Sequence, residues 1–160
     1  MNLHNANDLK SSMYQTLAKL FTYAGMLPFI YGVLAALDWA PGLGLCPDWI
    51  SWPQAMIFYA AVILSFLAGL QWGRSLQQGL TELASLTWLI SANFIAVGVW
   101  LLLMLDESTG AVLALMLGFL LALTVDYVAL RQQDQQAWFF KLRWQATSVA
   151  LLSLALLLLS

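Results

Sequence analysis

The chain has 160 residues, 62% of them hydrophobic and 9% charged, with a formal net charge of −2 at pH 7. A soluble domain carries about 25% charged residues, so this composition excludes a water-covered globule, and it offers no basic surface for nucleic acid. The apolar residues fall in long blocks, the mark of membrane-spanning helices in a lipid bilayer.

Residues 1–16 are polar, but Leu9, Met13, Leu17 and Leu20 recur on one helical face behind Asn7 or Asp8 as a cap. They read either as an interfacial helix or as a loosely ordered tail. The first apolar block covers about 17–37. Its length, Pro28 in mid-span and the lack of a small-residue cleavage site favour an uncleaved span over a signal peptide. The loop from Asp38 to Trp52 contains Pro41, Gly42, Gly44 and Pro47, which exclude a helix. Its Trp39, Trp49 and Trp52 suit an aromatic belt at the membrane surface; a lid over the outer mouth is the rival reading. Cys46 is the single cysteine, so it has no intrachain disulfide partner.

The second block covers about 53–74, the third about 84–105 and the fourth about 109–130. After the polar link Arg131–Gln136, the fifth covers about 144–160. Each is near the ~20 residues that cross about 30 Å of hydrocarbon. Backbone groups in lipid must be satisfied within each segment, and the alternation of barrel strands is missing. The sequence therefore predicts an all-α integral membrane bundle of five transmembrane helices. In that topology Lys10, Lys19, Arg74, Arg131, Lys141 and Arg143 all lie on one side, while Asp38, Asp48, Asp106 and Glu107 lie on the other. The positive-inside rule then places the N-terminus in the cytoplasm and the C-terminus outside.

Small residues recur every fourth position in three blocks. They are Ala24, Pro28, Gly32 and Ala36; Ala61, Ser65, Gly69 and Gly73; and Gly110, Ala114, Gly118 and Ala122. Such stripes let helices approach closely, within one bundle or between two copies. Asp126 continues the fourth-block stripe, which predicts that it faces protein.

Polar side chains gather at one depth of the five-span arrangement: Lys19, Gln71, Arg74, Asp126 and Arg143, with Gln78 one turn beyond Arg74. An intramembrane charge is costly and is usually paired, so Asp126 calls for Arg74 or Arg143 as its counter-ion. The cluster reads as a structural ion pair, a functional polar site, or cationic chains snorkelling to the interface. Ser91 and Asn93 lie deeper, and Asn93 is expected to bond another helix. His4 is the only histidine. No Cys/His grouping, phosphate loop or nucleophile motif is present, so no metal, cofactor or catalytic residue is expected.

Gly25-Met26-Leu27-Pro28-Phe29, the run from Ile63 to Gly69 into Trp72-Gly73, and Trp138 with Leu142-Arg143 and Thr147 resemble the family of unknown function numbered 3429. The resemblance covers roughly residues 19–150. It implies a small multi-span protein of bacterial inner membranes, with mitochondrial relatives and no established activity. That family often carries His before the Trp-Gly where this chain has Gln71, which hydrogen-bonds but does not relay protons. The expected function is a non-catalytic interaction or assembly scaffold for other membrane proteins, or a homo-oligomer. The alternative is a carrier or channel for a small solute or protons using Arg74 and Asp126.

Overall fold

A computed structural model of the chain describes residues 3–40, 50–76, 81–105, 109–130 and 137–159. It contains five α-helices: α1 (Leu3–Ala36), α2 (Trp52–Ser75), α3 (Glu82–Leu105), α4 (Thr109–Leu130) and α5 (Ala137–Leu159). All five are long and apolar enough to cross a membrane, and no strand occurs among the described residues. The chain is a multi-pass membrane protein built as a helical bundle.

α1 starts far earlier than its apolar block. It is one continuous helix through the N-terminal polar segment, because no Gly or Pro interrupts the chain between Leu3 and Tyr23. Pro28 lies inside it and withholds one ladder N–H, a loss that neighbouring helices can offset in lipid. In that same stretch the Tyr59 hydroxyl of α2 donates to the Gly25 carbonyl at 2.7 Å. α1 ends through its backbone. Trp39 N–H bonds Leu34 O at 2.8 Å and Asp38 N–H bonds Ala35 O at 3.2 Å, the two bonds of a Schellman stop. Asp38 takes the left-handed position with φ 57°, where glycine is usual.

α2 starts at a capping box. Ser51 Oγ accepts from Gln54 N–H at 3.4 Å, and Gln54 Oε1 accepts from Ser51 N–H at 3.1 Å. Pro53 occupies the first turn, where its missing N–H costs nothing.

Neighbours in the chain are neighbours in space. α1 packs on α2, α2 on α3, α3 on α4 and α4 on α5, while α5 returns to α1 and α2 meets α4 across the middle. The core runs between them through Phe29, Leu64, Leu115, Phe119 and Leu154. Phe29 meets Tyr59 and Phe119 edge-on, with centroids 5.0 and 6.3 Å apart.

The small-residue stripes divide. A Cβ on Gly118 would lie 2.5 Å from Leu64 Cδ2, and one on Gly32 would lie 2.5 Å from Met56. These two glycines therefore admit large core side chains of α2. Ala61 and Ala122 are buried, while Ala36 and Ala114 are partly so. The rest of the pattern departs from expectation. Ala24, Pro28, Ser65, Gly69, Gly73 and Gly110 are exposed on the bundle surface. A four-residue repeat drifts around a helix of about 3.6 residues per turn, so a long stripe cannot keep every member on one interface.

Candidate functional site

Three helix ends meet at one pole of the bundle. Arg74 sits one residue before the end of α2, Asp126 lies in the last two turns of α4, and Arg143 lies six residues into α5. An up-and-down ring brings these positions to the same level. Asp126 is 1% exposed and is the centre of the cluster. Its Oδ2 accepts from Arg143 Nε at 2.7 Å, a short charge-assisted bond. Its Oδ1 lies 3.6 Å from an Arg74 terminal nitrogen and accepts from Gln71 Nε2 at 3.3 Å. Both counter-ions anticipated for Asp126 are thus present, and Arg143 is the closer. One carboxylate between two guanidiniums leaves the cluster with an excess positive charge.

Gln71 is completely buried. Its amide nitrogen also donates to the Ala122 carbonyl at 3.0 Å. Its Oε1 faces the Ser91 hydroxyl at 3.3 Å, a hydroxyl that also reaches Trp88 O at 3.1 Å. A glutamine has two donors and one acceptor oxygen, and here they tie α2 to α3 and α4 together. Arg74 is additionally capped by Phe139, whose ring centroid lies 4.5 Å from Cζ, a cation–π contact.

The family model described as "Protein of unknown function (DUF3429)" matches residues 14–159, nearly the whole chain. This protein belongs to the DUF3429 family. The same comparisons found no match among curated proteins and none among solved structures.

In this DUF3429 chain part of what carried the resemblance falls around the cluster, since Trp72-Gly73 follow Gln71 and Arg143 and Thr147 lie one turn apart on α5; residues 25–29 lie away from it, with Phe29 in the main core. Two of the polar residues singled out in the sequence lie elsewhere. Lys19 is exposed and has no ion pair among the described residues. Its helix packs on α5 and α2 through other faces, so its long chain is free to snorkel. Asn93 is also exposed, opposite the buried face of α3, and its amide donates back to Leu89 O at 2.8 Å rather than to another helix. Gln78 and Cys46 lie outside the described residues.

Two features were not anticipated from sequence. Trp88 is 1% exposed beside Val125 and Phe139, and its indole N–H has no acceptor among the described residues. The second is a cleft of about 430 Å³ bounded by α1, α2, α4 and α5, with Phe21, Thr22, Phe66, Leu70, Arg143 and Ala146 on its walls. Phe21 and Phe66 are both exposed, so the cleft opens on the lipid-facing side of the bundle. No motif marks it, because its walls come from four separate helices.

Proposed function

We propose that this DUF3429 protein is a non-catalytic scaffold of the bacterial inner membrane, N-terminus in the cytoplasm, that associates laterally with other membrane-spanning helices. The outward face of α2 carries this reading. Ser65, Gly69 and Gly73 are exposed along it, and a Cβ built on either glycine would meet nothing within 4 Å. Glycines toward lipid forgo the side-chain packing that another helix would restore. Asn93 supports the same reading. Gln71 bonds Ser91, so Gly69 and Asn93, each two residues from that bond on antiparallel neighbours, lie at nearly one depth. An amide turned outward at mid-span favours a helical neighbour over lipid. The Asp126 cluster fits a brace: both carboxylate oxygens already face cationic partners from α2 and α5.

The test is purification of the tagged protein from native membranes in mild detergent, with crosslinking, beside the Gly69→Leu/Gly73→Leu variant. The expected result is a complex of fixed stoichiometry, hetero- or homo-oligomeric, that the variant loses while its own helix content stays unchanged. A wild-type protein that runs as a lone monomer overturns the scaffold. The carrier alternative gains if liposomes then show solute or proton flux that Asp126→Asn abolishes.

A further inference from the structure

The cleft and the cluster share one residue, and its unspent donors point to a ligand. Arg143 is more than nine-tenths buried. A guanidinium has five N–H donors in a rigid fork, yet Nε alone is engaged, on Asp126. Among the described residues its terminal nitrogens have no acceptor, and Arg143 lines the cleft. One turn further on, Thr147 is 3% exposed, also lines the cleft, and has a hydroxyl without a partner among the described residues. Donors without acceptors in the wall of an apolar trough match an oxyanion carried on a hydrocarbon chain.

Size, depth and charge agree. About 430 Å³ lies within the ~300–1,000 Å³ of small-ligand sites. Arg143 directly precedes the apolar block read from about residue 144, and Trp144 beside it is exposed, a pattern that suits the boundary between headgroups and hydrocarbon, where aromatic belts lie. The excess positive charge left by Arg74 and Arg143 around Asp126 selects a net-negative head. We infer that the cleft holds one anionic phospholipid, its phosphate on the Arg143 fork and Thr147 hydroxyl, and an acyl chain along Phe66 and Leu70. Ser65, Gly69 and Gly73 do not line the cleft, although Phe66 and Leu70 adjoin them on α2; the lipid assignment rests on Arg143 and Thr147 and not on the scaffold reading.

The experiment is native mass spectrometry of the delipidated full chain in detergent, titrated with phosphatidylglycerol or phosphatidylcholine of the same chains. The expected result is one phosphatidylglycerol retained per chain, with at least fivefold preference over phosphatidylcholine. Ala146→Trp fills the trough without touching the ion pair, and it should reduce retention at least tenfold. Arg143→Gln should bring the two lipids to parity; if that variant does not fold, Ala146→Trp alone decides. Equal retention of the two lipids by the wild type overturns the site, as does undiminished phosphatidylglycerol binding in Ala146→Trp. An oleate arm separates the sources: oleate that displaces phosphatidylglycerol one for one at lower concentration would make the occupant a free fatty acid and overturn the phospholipid assignment.

Discussion

Asp126 is surrounded by unequal partners, and substitutions should rank them. Removing one member of a buried pair leaves an uncompensated charge, at a cost of about 3–5 kcal/mol. Asp126→Asn strands two guanidiniums, so it should lose stability of that order in a denaturant titration of the detergent-solubilised protein. Arg74 is farther away at 3.6 Å and its side chain is 17% exposed, so its attraction to the carboxylate is weaker and its charge keeps more of its hydration than that of Arg143. Arg74→Ala should therefore cost much less than Arg143→Ala. The opposite order would make Arg74 the main counter-ion. The sequence shows that Asp126 needs a cation, because an aspartate in a span is rarely alone. It leaves Arg74 and Arg143 equivalent, because their distances to the carboxylate depend on how α2 and α5 are rotated. Gln71 is similar: its depth follows from residue counting, while its bonds to Ala122, Asp126 and Ser91 exist only once three helices are assembled.

At the scale of single elements, helix ends and glycines behave according to local chemistry and to neighbours, respectively. Asp38 holds φ 57° at the end of α1, where a left-handed L-residue carries ~1–2 kcal/mol of strain, less for Asp than for most. Asp38→Gly should raise stability by roughly 0.5 kcal/mol, while β-branched Asp38→Val should lower it by about 1 kcal/mol. Thermal unfolding in detergent checks both; Val equal to Gly would remove the Schellman stop from the account. The glycines make the opposite point. Gly118→Leu forces Leu64 out of place and should cost about 1–3 kcal/mol in the isolated chain. Gly69→Leu faces open space and should leave unfolding of that chain unchanged. Gly69 and Gly118 look alike in sequence, since each sits in a four-spaced small-residue stripe. Only the fold says that one meets Leu64 and the other meets nothing.

For the whole molecule, topology is the property that governs partners. The proposed orientation, with the basic residues cytoplasmic, puts the loop holding Cys46 outside. A membrane-impermeant maleimide should then label Cys46 on intact cells before permeabilisation, and Cys46→Ser should abolish the signal. Labelling that requires lysis would invert the protein and place the Asp126 pole on the outer face. The bundle also has unequal sides. The α1–α2 side opens into the cleft, while α2 and α3 pack more extensively.

The order of residues alone settles the solvent, the number of spans and most of their ends. Long apolar runs have a single low-energy form in lipid, because every backbone group must find its partner within the helix. The block read from about residue 53 starts within a residue of α2, whose capping box at Ser51 and Gln54 the structure supplies. The tertiary structure decided which face of each helix turns inward. In water an amphipathic stripe carries that information; in a bilayer the outward face is as apolar as the core, so Ser65, Gly69 and Asn93 can lie outside with no sign of it in the pattern. The cleft is the extreme case, since it is the space left between four helices and belongs to the sequence of none.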